Sequence, residues 1–184
     1  VEQQMKKPAP EPSPGSMPKI VKPPRPAMEL AGTAKIKVEK FIITGNTRIS
    51  TEKLLKEIAK FTKQELTLAQ LKEVADIITQ KYWDQGYITS FAYIPQQKVE
   101  KGVVEIAVIE GRVGQVKVEK NRYYTTRFIE RHFAAVKNEP VLKQSTLDRE
   151  LLLLNDYPKM DASATLTKGR DNATTDIYVS APEN

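Results

Sequence analysis

The sequence predicts an α+β fold: two tandem β-α-α-β-β units, each a three-stranded mixed sheet with two helices on one face, preceded by a proline-rich linker. Three observations carry that expectation. Strand-like alternation gives way to helical spacing and returns, and this happens twice along the chain. Leu68 and Leu147, each just inside the second helix of its unit, stand 79 positions apart. Eight of the 12 prolines fall within residues 1–34. The predicted boundaries are 1–34 for the linker, 35–112 for the first unit and 113–184 for the second. A repeated supersecondary unit of this size means two similar domains in tandem, a conclusion that rests on element order because side-chain identity between the halves is low.

The linker mixes its prolines with Lys, Glu, Ser and Gly, a composition that builds no core and samples extended, polyproline-like conformations. A PxxP ligand for a groove is the other reading of it. Deleting residues 1–30 is therefore expected to leave the melting midpoint unchanged. From Ala34 the tract "AKIKVEKFIITGNTRIS" alternates apolar and charged residues and breaks at Gly45-Asn46, as a strand entering a turn does. Ile36, Val38 and Ile42 share one parity while Phe41 and Ile43 share the other, so this strand is either buried on both sides or bulged. Ser50 is placed to cap a short helix bearing Leu54, Leu55, Ile58 and Ala59, with Ile49 stapled to Leu54. Thr67 and Gln70 fit a capping box for the next helix. Its apolar positions Leu68, Leu71, Val74, Ala75, Ile78 and Tyr82 recur at helical spacing until Gly86, a left-handed stop.

Thr89 to Pro95 and Val103 to Glu110 are the next two strands. Val104, Ile106 and Val108 share one face of the second. The order then repeats. "VGQVKVEK" is a strand; Thr125 or Thr126 caps a helix carrying Phe128, Ile129, Phe133 and Val136; Ser145 or Thr146 caps another through Leu154. "MDASATL" and "ATTDIYVSA" close the second unit.

Chemistry is sparse. The chain of 184 residues contains no cysteine and a single histidine, His132. That excludes disulfides, thiol nucleophiles and cysteine-based metal sites. There is no GxSxG and no calcium-loop spacing, and the glycines of "GNT" and "EGRVG" are isolated, as turns and linkers have them. No enzyme activity, cofactor or metal is expected. The net charge of +6 suits acidic partners, but both signs are interspersed, and nucleic-acid binding is not expected. Lys117, Lys120, Arg122, Arg127 and Arg131 form the one basic stretch, suited to anionic headgroups, to acidic residues of a substrate, or to plain solvation. No apolar run is long enough for a membrane-spanning helix, and the start at Val1 suits a mature or excised fragment.

What remains is surface. A three-stranded sheet with helices on one face leaves the other face and an edge strand exposed, and such an edge is a template for an added extended peptide. In Thr89 to Pro95, Thr89, Phe91, Tyr93 and Pro95 point one way and Ser90, Ala92 and Ile94 the other. Phe91 and Tyr93 either pack on the helices or line a peptide groove, and Pro95 ends hydrogen-bond donation as suits an edge.

The β-α-α-β-β order, with "GYITSFAYIPQQ", "GVVEIAVIEGRV" and the later "LDRELLLLNDYP", resembles the tandem POTRA domains of TpsB-type outer-membrane pores, which act in two-partner secretion. The likeness covers about residues 35–182. It implies a periplasmic recognition module that captures the N-terminal secretion domain of a partner exoprotein in extended form and delivers it to a C-terminal transmembrane barrel absent from this chain. Carried over residue by residue, the resemblance implies a polypeptide-binding groove at Thr89, Phe91, Tyr93 and Ile94 with Leu71, Ile78 and Tyr82 on the helix beside it, and an interdomain or barrel-facing role for Arg112. Binding is expected to be weak, since a transported chain must also leave. A POTRA scaffold of a general barrel assembly factor, or a structural docking protein, is the alternative.

Overall fold

The computed structural model describes residues 21–30 and 33–182. Residues 1–20 of the linker expected over 1–34 lie outside the described residues; its one PxxP spacing, Pro23 to Pro26, lies within them. In chain order the elements are β1 (Lys35–Val38), β2 (Lys40–Thr44), α1 (Thr51–Ile58) with a 3-10 turn at Ala59–Phe61, β3 (Gln64–Thr67), α2 (Leu68–Asp84), β4 (Phe91–Tyr93) and β5 (Val103–Ile109). They continue with β6 (Arg112–Glu119), α3 (Thr126–His132), α4 (Ala134–Asn138), α5 (Gln144–Asn155), β7 (Ser163–Lys168) and β8 (Thr174–Ser180).

Each unit builds one three-stranded mixed sheet, in the order β2-β5-β4 and β6-β8-β7. The central strand, β5 or β8, pairs in parallel with β2 or β6 and antiparallel with β4 or β7. Parallel neighbours need a long crossover, and the helices between them supply it.

The first predicted strand resolves as bulged. It divides at Glu39, where the N–H groups of both Glu39 and Lys40 donate to the Gly102 carbonyl at 2.7 and 3.3 Å. One extra residue reverses the parity. Val38 is therefore buried on one side of the break, Phe41 and Ile43 are buried on the other, and Ile42 is turned outward. Released from the main sheet, β1 pairs antiparallel with β3, a small sheet that the sequence pattern does not announce. Gly45 follows with φ +82°, and a side chain there would collide with the Val108 carbonyl.

The capping box at α2 is formed as expected, the Thr67 hydroxyl accepting from the Gln70 N–H and the Gln70 side chain from the Thr67 N–H. Two other caps differ. Ser50 precedes α1 without a side-chain cap bond; Asn46 organises that corner instead, donating to the Ile49 carbonyl and the Thr51 hydroxyl. At α5 neither Ser145 nor Thr146 is the cap. The helix starts at Gln144 after Lys143, and the Glu139 carboxylate accepts from the Lys143 N–H and the Thr146 hydroxyl. An acidic side chain from the preceding turn thus ties down the start of the helix and places negative charge near its N-terminus, while the first helical N–H, that of Gln144, donates to the Gly86 carbonyl. The third predicted helix breaks in two at Phe133, whose side chain is fully buried.

Two cores result. In the first, Leu71, Val74, Ala75, Ile78 and Tyr82 of α2 meet Val104, Ile106 and Val108 of β5 and Ala92 and Ile94 beside them. In the second, Ile129, Phe133, Val136, Leu147 and Leu154 meet Val113, Ile177 and Val179. Backbone bonds join the units, from Gln144 N–H to the Gly86 carbonyl (2.9 Å) and from Leu142 N–H to the Gly111 carbonyl (2.8 Å).

The part of the proline-rich segment that is described is packed, contrary to its expected role as a free linker. Val21 is 1% exposed and Met28 6%. Burying each such side chain is worth about 1.5–3 kcal/mol, partly offset by ordering the segment, and a chain of this size shifts by about 2–4 °C per kcal/mol. Removing residues 1–30 should then lower the melting midpoint by about 5 °C or more, followed by circular dichroism. An unchanged midpoint would mean that the docked residues contribute nothing to stability.

Candidate functional site

All seven residues expected to form one groove are buried, and they divide between two faces of the first sheet. Leu71, Ile78, Tyr82 and Ile94 belong to the core between helices and sheet. Phe91 and Tyr93 point to the opposite face, where they join Ala107, Ile109 and Val21 in a separate cluster, with ring centroids of Phe91 and Tyr93 6.0 Å apart. The division follows from the alternation of side chains along β4. Thr89 is buried at the turn before β4, packed so tightly against Gly111 that a side chain at Gly111 would collide with it.

The outer edge of β4 and its continuation is the most informative part of the molecule. Ala92, Ile94 and Gln96 share the parity that turns backbone groups away from β5. Each finds a partner. The Ala92 N–H donates to the Thr79 hydroxyl of α2 at 2.8 Å, and that hydroxyl donates to the Ala75 carbonyl at 3.1 Å. The Ile94 carbonyl accepts from the Met28 N–H at 2.8 Å, and the Gln96 N–H donates to the Pro26 carbonyl at 2.9 Å. Ala27 thus sits opposite Pro95 in an antiparallel bridge. The chain's own extended segment occupies the edge.

The inner side of the same stretch explains the Pro-Gln-Gln tract. Pro95 has no N–H to give to β5. The Gln97 side chain takes over, accepting from the Glu105 N–H at 2.8 Å and donating to the Glu105 carbonyl at 2.9 Å. A side-chain amide thereby imitates one rung of a strand. The Glu105 carboxylate meanwhile receives both guanidinium nitrogens of Arg25, at 2.5 and 3.2 Å, and the Thr44 hydroxyl at 2.8 Å. The bond to Arg25, helped by Thr44, holds this carboxylate below its ordinary range against the desolvation that opposes it.

A second polar anchor joins the two glycine tracts that look unrelated in the sequence. The Glu110 carboxylate accepts from the Thr47 and Arg48 N–H groups (2.6 and 2.8 Å), from the Thr47 hydroxyl (2.5 Å) and from the Tyr82 hydroxyl (2.7 Å). Burial, the largest influence, pushes the Glu110 pKa upward, but these donors outweigh it and leave it lowered. Burial and the bond to Glu110 raise that of Tyr82. Neither Glu110 nor Gln97 stands out in the sequence as more than a polar residue at a strand end. Their one signal is position, an acidic or amide group directly after an apolar strand or a proline.

Arg112 opens β6 at the joint between units, its N–H bonded to the Ala173 carbonyl and its side chain exposed. The basic stretch is spread over β6, the following loop and α3, with Lys117, Lys120, Arg122, Arg127 and Arg131 all exposed. His132 lies edge-on to Phe128 and Tyr157 at 5.3 and 5.5 Å. Among the described residues no group of three His, Asp or Glu side chains could hold a metal ion, and no helix is long and apolar enough to cross a membrane.

Comparison with known proteins places this geometry. Residues 36–111 match the family model described as POTRA domain, ShlB-type. The chain carries a POTRA domain of the ShlB type. It is 25% identical over 126 residues to the heme/hemopexin transporter protein HuxB of Haemophilus influenzae (strain 86-028NP), a match covering 68% of this chain and 22% of that protein. It is 34% identical over 82 residues to the outer membrane transporter CdiB of Escherichia coli O6:K15:H31 (strain 536 / UPEC), covering 45% of this chain and 14% of that one. The solved structure of CdiB from Escherichia coli superposes with a TM-score of 0.73 at 23% identity, over 84% of this chain and 28% of that chain. The N-terminal domain of Omp85 from Thermosynechococcus elongatus shares the fold with a TM-score of 0.62 at 23% identity, over 81% of this chain and 67% of that chain. The chain thus spans about a fifth of the length of the curated relative HuxB. The resemblance read from Gly86 to Arg112 falls almost wholly inside the matched POTRA region.

The Glu110 anchor generates a pH dependence. Its folded-state pKa lies below the unfolded one, so its contribution to stability is full above the unfolded value of about 4.3 and is lost as pH falls through the lowered value. Urea midpoints measured from pH 6 down to pH 3 should fall for the wild type and fall less steeply for Glu110→Gln, which starts lower at pH 6. Parallel curves would show that Glu110 does not carry the effect.

Proposed function

We propose that this chain is a periplasmic recognition module of an outer-membrane two-partner secretion pore, in which the first sheet accepts the extended N-terminal secretion segment of an exoprotein and passes it to a transmembrane barrel belonging to the same protein. One observation supports the reading above the others: residues Pro26–Met28, in extended conformation, add antiparallel to the edge at Ile94–Gln96. This edge accepts an extended polypeptide, and the neighbouring face of Phe91, Tyr93, Ala107 and Ile109 accepts an apolar side chain. Backbone pairing supplies affinity with little demand on sequence, while the apolar strip and Glu105 set register.

In this reading Phe91, Tyr93 and Ile94 lie along the acceptor strip and Thr89 supports its entry. Leu71, Ile78 and Tyr82 hold the strip in place from the core side, and Arg112 belongs to the joint that orients the two units toward the barrel. The exposed arginines and lysines of the second unit face lipid headgroups. The kinship with ShlB-type POTRA domains and with CdiB favours this reading over a scaffold for general barrel assembly.

The test is titration of the N-terminal segment of the exoprotein encoded beside this chain's gene, kept unfolded, with amide shifts followed by NMR. Weak saturable binding with shifts concentrated at Phe91–Gln97 is expected. Absence of shifts there, or saturation elsewhere, would move the function to assembly or scaffolding.

A further inference from the structure

We infer that Val21–Met28 is a resident strand: at rest it fills the acceptor strip, and an arriving extended polypeptide takes the strip by displacing it. The inference rests on the function proposed above and adds its regulation. Three features of the segment argue that it is built to be held and to leave.

The first is position. Met28 and Pro26 bond the two outward-facing positions, Ile94 and Gln96, that lie beyond the reach of Thr79, and Val21 covers Phe91, Tyr93, Ala107 and Ile109. An incoming strand cannot add here while the segment stays. The second is composition. Pro23, Pro24 and Pro26 lack N–H groups. Pro26 accepts from Gln96 and has no donor to return, so the segment cannot extend the ladder as an ordinary strand does. A proline-free strand returns the donor that Pro26 lacks and outcompetes it. The third is the nature of the side-chain tether. The Arg25–Glu105 pair is 47% and 26% exposed, the kind of ion pair that water and salt weaken.

The same segment touches the second unit. The Lys22 carbonyl accepts from the Ala173 N–H at 3.2 Å in the turn between β7 and β8, and Ala173 packs against the Val21 cluster. Departure of the segment therefore also removes one of the ties between the units, leaving those at Gly86 and Gly111.

The absence of cysteine from the chain permits a clean test. Ala27 and Pro95 face each other between the two bridging bonds, a non-hydrogen-bonded pair whose Cα atoms lie about 4.5 Å apart, within reach of a disulfide. In the full chain carrying Ala27→Cys and Pro95→Cys, the labelled, unfolded N-terminal segment of the neighbouring exoprotein should bind at least tenfold more weakly with the disulfide closed than after dithiothreitol opens it. Arg25→Glu, which leaves β4 unaltered and sets like charges against Glu105, should bind that segment severalfold more tightly than the wild type. Equal affinity with the disulfide open and closed, or no gain in Arg25→Glu, overturns the resident strand and leaves the proposed function standing. No binding in any form overturns both.

Discussion

Along an edge strand, every second residue turns its N–H and carbonyl away from the sheet, and those groups must find partners or water. In this protein Ala92, Ile94 and Gln96 are such residues, and much of the first unit follows from how they are satisfied. Thr79 reaches over from α2 to the first of them. Met28 and Pro26 reach the other two from outside. A helix thus seals the upstream part of the edge permanently, and a removable segment covers the downstream part. The functional reading attaches to that second part.

The polar groups around this edge share one logic. Gln97 replaces the rung that Pro95 cannot provide, Glu105 ties the outer segment to β5 through Arg25, and Glu110 pins the turn after β2 to the end of α2. Each is a single side chain joining separate pieces of the chain; Gln97 and Glu110 stand just past a strand where the backbone ladder runs out, and Glu105 stands within β5. In the second unit the corresponding outer strand, β7, pairs only with β8 among the described residues, and no segment of the chain is bonded along its other side there. The two repeats share their element order and differ in what covers their edges.

Most of the architecture was legible because it is written in local periodicity. The Thr67–Gln70 capping box, the left-handed Gly86 and the alternation that puts Val104, Ile106 and Val108 on the helix side all follow from neighbours within a few positions. The bulge at Glu39 was legible as a contradiction in parity, resolved only by the Gly102 carbonyl from far along the chain. The site was harder to read. Phe91 and Tyr93 were recognisable as strand residues facing away from Ala92, but nothing local says that Val21, stranded among prolines, covers them. Composition argued that a proline-rich segment builds no core, which is true of it alone; docked on another surface, it buries two of its apolar residues. Likewise the bonds by which Glu139 holds Lys143 and Thr146 at the start of α5 depend on a turn whose geometry no spacing rule contains.

The account turns on whether the segment before β1 lies paired on the sheet in solution. Amide hydrogen exchange of the full chain, read by NMR at single residues, addresses that directly. The Met28 and Gln96 amides, each bonded across the bridge, should exchange at least tenfold more slowly than expected for unprotected amides of the same sequence. Exchange of both at the unprotected rate, with the β5 amides still protected, would show an intact sheet with an empty edge and would contradict it.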